Sequence, residues 1–411
     1  MDPNLIILAL SVVVVAAYVF DIVGRIFKIP SVVLLLASGI VLRRILDGIG
    51  WSVPYLDELL PVLGTIGLVL IVLEGALDLE LSREKKPLVL RTLFASVAGL
   101  VISLLAVAGI LRLMLDADWT RALIVACPFA VISSAIAIPS VGGLAPHRSE
   151  FVVYESAMSD IVGVSVFAAL VAAGGSWVAF VLNLSIASAL SVALGLGFIA
   201  LLYILLNKLT GHVKFIPILF LLMIIYVIGK LLHLSPLILV LAFGLLLNNA
   251  FLLRRIPWLK RHETEDFHDD VIQFGQIVAE GAFFVRTYFF LLLGYNTVLS
   301  DFASWTTWAA AGLILLAIYL TRLPLLALVA RADIRPLLWI APRGLITVML
   351  FLSITPDLRI PGFPDGVVML VVLLSSVVMM IGIRRAPPAA GEPADEPAKE
   401  LAAEPAKAQP Q

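Results

Sequence analysis

Runs of about 20 apolar residues, separated by short polar stretches, repeat along the 411-residue chain. At 1.5 Å per residue, each run is long enough to cross roughly 30 Å of hydrocarbon as a helix. The pattern predicts thirteen helices, over 5–24, 31–46, 60–79, 88–111, 120–144, 149–173, 177–206, 214–232, 236–253, 271–298, 304–330, 336–355 and 364–383. A membrane β-barrel would show strand-length segments of alternating polarity instead. The second span is short, so Arg43 and Arg44 must reach the interface along their alkyl stems. The expected class is an all-α polytopic membrane protein.

The charges between the spans give an orientation. Lys and Arg accumulate in cytoplasmic loops. One set of alternate loops carries 17 of them and the other only 6. A miscounted span would scramble this asymmetry. Thirteen helices with the N-terminus outside and the C-terminus cytoplasmic fit it. The longest internal polar loop, "RRIPWLKRHETEDFHDD", holds His262 and His268; it reads as a solvated interfacial loop, with a regulatory proton or metal site as the other reading. Residues 386–411 are rich in Pro, Ala and Glu. They cannot bury enough surface to offset their ordering entropy, so a disordered cytoplasmic tail is expected.

Composition agrees and excludes several classes. Hydrophobic residues make up 61% and charged residues 14%, against about 45–50% and about 25% in soluble domains. The net charge is −1, and no basic tract suggests nucleic acid. A single cysteine, Cys127, leaves no intrachain disulfide framework and no Cys-rich metal site. The N-terminus has no basic region, and its apolar run is too long for a cleavable signal, so it reads as the first membrane helix.

Inside the apolar spans stand Glu74, Glu155, Asp160, Glu280, Arg286, Arg322 and Arg343. A charge at the bilayer centre costs about 2.5–3.5 kcal/mol on insertion scales, so such residues face a cavity or a partner. Glu155 and Asp160 lie in one greasy helix, "FVVYESAMSDIVGVSVFAAL". Glu155 and Ser159, at i and i+4, share a face, while Asp160 points about 100° further round. Different surroundings suggest different roles: one acid a carrier exchanging a proton for a cation, the other a fixed half of an ion pair. The bland reading pairs both acids inside the bundle.

The preceding helix, "LIVACPFAVISSAIAIPSVGGLAP", is interrupted by Pro128 and Pro139, with Ser133 and Ser134 between them. A second interruption, "RPLLWIAPRGLITVMLF", holds Pro342, Arg343 and Gly344. Broken membrane helices are tolerated where the freed polar groups line a cavity. A pair of them, one in each half of the chain, points to a transporter site at the bilayer midplane.

Over roughly residues 1–385 the chain resembles the sodium/proton exchangers of the monovalent cation–proton antiporter superfamily. "YESAMSDIVGVSVF" is similar to the family's Glu-Ser-x-x-Asn-Asp helix, with Ser159 in place of the usual Asn. "LVLIVLEGALDLE", "AIYLTRLPLLALVA" and "PRGLITVMLF" resemble three further family segments. The resemblance implies an inverted-repeat antiporter fold with two broken crossing helices. It also implies a dimerisation domain (1–79 and 214–298), an ion-translocating core (88–173 and 304–383) and a linker helix (177–206). Asp160 would be the ion-binding and proton-carrying carboxylate, the only metal ligand expected being this one, for a monovalent cation. Ser159, Ser133 and Ser134 would be ion-binding companions, Glu155 and Arg322 a structural ion pair, and Arg343 the charge at the second broken helix. Glu74 would line the path or tune the pH response, unless it only meets the interface. Glu280 and Arg286 read as structural charges that could pair through neighbouring helices of the dimerisation domain. The first interruption reads "ISSAIAIP" rather than Thr-Asp-Pro, closer to the potassium-efflux branch, which leaves the cation open among Na⁺, Li⁺ and K⁺.

The implied activity is cation/H⁺ antiport by alternating access, with no cofactor beyond the transported ions. The implied protein is a homodimer in membrane lipid, in a bacterial or archaeal cytoplasmic membrane. In the family, an Asp-Asp pair with a later lysine marks electrogenic members, and Asn-Asp with the Glu–Arg pair marks electroneutral ones. Because Ser159 cannot ionise, 1:1 exchange is expected. Two other readings are a potassium/proton antiporter of the efflux type and a channel or regulatory protein on the same fold. A membrane-embedded hydrolase lacks its motifs here, since neither His-Glu-x-x-His nor Gly-x-Ser-x-Gly occurs.

Overall fold

The computed structural model describes residues 3–27, 30–48, 50, 56–77, 79, 81–82, 84–141, 143–208, 214–232, 236–249, 267–329, 334–364 and 366–385. The tail beyond 385 and the loop carrying His262 lie outside them. Among the described residues there are fifteen α-helices and no strand. They are α1 (Pro3–Phe27), α2 (Ser31–Gly48), α3 (Leu56–Leu77), α4 (Lys86–Leu115), α5 (Trp119–Ala130), α6 (Ser134–Ser140), α7 (Pro146–Ala173), α8 (Trp177–Lys208), α9 (Phe215–Leu231), α10 (Pro236–Asn248), α11 (Phe267–Asn296), α12 (Trp305–Val329), α13 (Ile334–Trp339), α14 (Leu345–Leu352) and α15 (Val367–Arg384). Two pairs, α5–α6 and α13–α14, are broken helices, so the fifteen make thirteen helical segments, the number the sequence predicts; among the described residues seven of them are long and apolar enough to cross a membrane.

Local chemistry sets several boundaries. Proline occupies the first turn of both α4 and α7, where its missing N–H has no helical partner to lose. Asp118 caps α5 by accepting the Arg121 amide at 3.0 Å. The position of the first break differs from the simplest reading of the sequence. Pro128 does not end α5. It sits in the last turn, and the chain leaves the helix at residues 131–133, between the two prolines. The hydrogen bond a proline removes lies one turn upstream, at the Ile124 carbonyl, so Pro128 is tolerated inside α5 and does not itself mark the break.

Packing explains why α5 sits at the centre. The α5–α6 segment is the most buried of the long apolar segments, at 89%. α4 packs against α5, α7 and α12, and α15 packs against α12, α13 and α14. On the other side α11 runs along α2 and α3, with α10 on α3. The α2–α11 contact depends on paired glycines. A Cβ on Gly39 would lie 2.1 Å from the Leu291 carbonyl oxygen, and one on Gly294 would lie 2.2 Å from that of Leu36. Small residues allow such backbone approach where no hydrophobic effect drives helices together.

Candidate ion-binding site

The two broken helices meet backbone to backbone. The Ser133 amide, at the gap between α5 and α6, donates to the Pro342 carbonyl, at the gap before α14, at 2.9 Å. Gly344 makes room for this. A Cβ there would stand 2.7 Å from Ser133 Oγ and 2.7 Å from Ile136 Cδ1, inside contact distance.

α7 passes beside the first gap and supplies consecutive side chains to it. Ser159 Oγ accepts the Ile132 amide at 2.9 Å. Asp160 Oδ2 accepts the Ser134 amide at 3.3 Å and also takes a short hydrogen bond from the Ser134 hydroxyl. Asp160 is only 1% exposed. Its other oxygen, Oδ1, is buried without a hydrogen-bond partner, and so is Ser133 Oγ. Buried polar atoms are normally paired, so two orphaned oxygens at one crossing are a ligand-shaped feature. A carboxylate and a hydroxyl are hard oxygen donors suited to a hard cation, and the carboxylate can equally hold a proton. Among the described residues no group of three or more His, Cys, Asp or Glu is placed to hold a metal ion.

The remaining charges are engaged by other partners. Arg322 on α12 grips Glu155 with both guanidinium ends, at 2.8 and 2.7 Å. It also donates to the carbonyls of Leu337 and Ile340 at the end of α13. Arg343, 2% exposed, donates through Nε to the Phe129 carbonyl at 2.6 Å and through Nη1 to that of Ala341 at 3.1 Å. Each arginine thus sits at the carbonyl end of a half-helix, where a cation is favoured. A cavity of about 20 Å³ between α4 and the first gap borders Ser96, Ser103, Ser159, Arg322 and Arg343.

The structure brings together most of the residues the sequence singles out: Asp160, Ser133, Ser134, Ser159, Glu155, Arg322 and Arg343. Ser159 has a structural contact besides its expected role as an ion companion, since its oxygen accepts the Ile132 amide and keeps a second lone pair. The charges of Glu74 and Asp21 act on Arg286, whereas Glu280 is exposed on α11. The sequence reading missed Asp21, although the residue stands inside the first apolar run. It also missed Ser375 on α15, which accepts the Arg343 amide at 2.9 Å, and Thr347, which accepts the Gly344 amide at 3.3 Å. A Ser-Ser pair in the otherwise apolar "VVMLVVLLSSVVMMIGIR" was the available signal.

Comparison with known proteins places this geometry. Residues 9–387 match the family model described as "Sodium/hydrogen exchanger, transmembrane". No curated protein matches the chain by sequence. The fold superposes on the sodium proton antiporter MjNhaP1 from Methanocaldococcus jannaschii at pH 8, with TM-score 0.70, 19% identity, and 93% of this chain and 96% of that one covered. An electron-microscopy structure of the same antiporter gives TM-score 0.66 at 19% identity, covering 93% and 95%. At that identity the likeness is one of fold. The family match, spanning nearly the whole chain, makes this protein a member of the sodium/hydrogen exchanger family, integral membrane secondary transporters that exchange a cation for a proton.

Proposed function

We propose that the chain exchanges Na⁺ for H⁺ one for one, with Asp160 as the carboxylate that holds either ion. One observation carries this reading: Asp160 Oδ1 and Ser133 Oγ are buried, unpartnered and on the same gap between broken helices. The Glu155–Arg322 pair supports the stoichiometry. Both Glu155 oxygens are bonded to a guanidinium, which stays charged at any working pH. Ser159 has no charge to add. That leaves one carboxylate to alternate, so the cycle moves no net charge.

Burial of Asp160 supports alternating access, because the ion must reach it through a rearrangement. In this reading the core (88–173 and 304–383) moves against the scaffold (1–79 and 214–298), with 177–206 linking them. The scaffold would pair with a second copy in the lipid, and the N-terminus would face outward. Li⁺ and K⁺ are the competing cations, the second favoured by the serines of "ISSAIAIP".

The test is dissipation of a preset ΔpH by the reconstituted protein on addition of Na⁺, Li⁺ or K⁺. Antiport with Na⁺ preferred gives recovery in the order set by cation affinity. Recovery with K⁺ alone would replace the cation, and no recovery with any of the three would overturn the reading.

A further inference from the structure

The two broken helices are held open in the same way. At the first gap a backbone amide, that of Ile132, donates to Ser159 Oγ on α7 at 2.9 Å. At the second gap the amide of Arg343 donates to Ser375 Oγ on α15, also at 2.9 Å. Ser375 is fully buried and also donates to the Val372 carbonyl of its own helix at 3.1 Å. Its neighbour Ser376, equally buried, bonds only Val372, at 2.8 Å. Of the two serines, Ser375 alone reaches the gap.

What Ser375 holds is one hydrogen bond away from Ser133. Its partner amide belongs to the peptide unit whose carbonyl is that of Pro342, and that carbonyl accepts the Ser133 amide at 2.9 Å. Ser133 carries the unpartnered Oγ, and the next residue, Ser134, holds Asp160. So a single peptide plane connects Ser375 on one side to the position of Ser133 on the other. A peptide unit is rigid, so fixing its N–H also fixes the direction of its C=O.

We propose that Ser375 is a positioning residue for cation selection, setting where Ser133 Oγ stands relative to Asp160. This rests on the role proposed for Asp160 and deepens it. Without the Ser375 oxygen, the buried Arg343 amide has lost its acceptor, and the 342–343 peptide turns to find another. Ser133 follows it, while Ser134 and Asp160 keep their own bond. The distance between the two cation-facing oxygens then changes. A change in that distance weighs differently on Li⁺, Na⁺ and K⁺, because their radii differ. The proton, which needs only one oxygen, is less affected.

The experiment measures apparent KM for Li⁺, Na⁺ and K⁺ by ΔpH dissipation in liposomes containing wild type, Ser375→Ala, Ser375→Cys or Ser376→Ala. Ser375→Ala is expected to raise the KM of the preferred cation roughly tenfold, the effect of losing one buried hydrogen bond. It should also alter the ratio of the three KM values, with Vmax per folded protein within about twofold of wild type. Ser375→Cys, close in size but a weak acceptor, should alter the ratios in the same direction. Ser376→Ala should keep wild-type ratios. If alanine prevents folding, the cysteine variant alone decides. Wild-type KM ratios in any folded Ser375 variant, or a uniform fall in Vmax with unchanged ratios, would overturn the assignment and leave the role of Asp160 standing. If instead wild type shows no cation-dependent recovery, the role of Asp160 itself fails.

Discussion

In the proposed mechanism Asp160 carries the exchange and its charged neighbours hold the architecture. Asp160 keeps one oxygen on Ser134 and leaves the other without a protein partner. An amide at this position keeps the shape but cannot alternate between proton and cation. Asp160→Asn should therefore abolish ΔpH dissipation, by at least about 100-fold if the carboxylate is the only carrier, while the protein still folds and inserts. Wild-type exchange by the purified variant would remove Asp160 from the mechanism. Glu155 and Arg322 are bonded through both ends and buried. Removing one partner of such a pair strands a charge, at about 3–5 kcal/mol. Glu155→Ala and Arg322→Ala should each lower thermal stability, and a double apolar replacement should recover part of the loss. Strictly additive losses in the double-mutant cycle would show that the two are not coupled.

At the level of the helices, two glycine contacts do different work, and substitution separates them. Gly344 sits where α14 begins, against Ser133 and Ile136. Gly344→Ala pushes the two gaps apart by overpacking, a cost of about 1–3 kcal/mol, and it should impair exchange more than it impairs folding. Gly39 presses α2 onto the backbone of α11, far along the chain from the gaps. Gly39→Val should lower thermal stability by a similar or larger amount, yet leave cation KM unchanged in the folded fraction. Thermal unfolding and ΔpH dissipation on the same preparations distinguish the two outcomes. A KM shift in Gly39→Val would mean that the α2–α11 contact is coupled to the ion site.

For the whole molecule, the proposed exchange of one ion at a time on one carboxylate has two consequences. The exchange rate with Na⁺ should be the same with and without a valinomycin-clamped potential. A transport current on a solid-supported membrane, reversing where two H⁺ per cation requires, would make Glu155 a second carrier. The pH dependence should also be that of a single competitor. As pH falls, protons occupy Asp160, and the apparent KM for the cation rises by up to about tenfold per pH unit, the limit for one proton displaced per cation. A steeper rise would require a second proton. Both measurements read the same quantity by independent routes.

Hydropathy, loop charges and helix breakers together determined the class, the count of thirteen segments and the existence of two interruptions, because bilayer thickness and the backbone's need for hydrogen bonds leave few alternatives. It also marked Glu155, Asp160, Arg322 and Arg343, since a charge in an apolar run is too costly to be accidental. The family resemblance, carried by short motifs around those charges, suggested Arg322 as the partner of Glu155. What the sequence did not carry was which atoms meet. Ser159 lies beside Asp160 in the chain, and nothing in its spacing showed that its oxygen also supports the backbone of α5's broken end. Ser375 lies 215 positions from Asp160 and looked like an ordinary polar residue in a greasy helix, yet it holds the peptide on which Ser133 rests. Asp21 and Glu74, 53 positions apart, both act on Arg286. Spacing along a helix fixes which face a side chain occupies. Only the crossing of α5–α6 with α13–α14 decides which backbone amides are left free, and so which hydroxyls are engaged and which oxygens remain unpartnered.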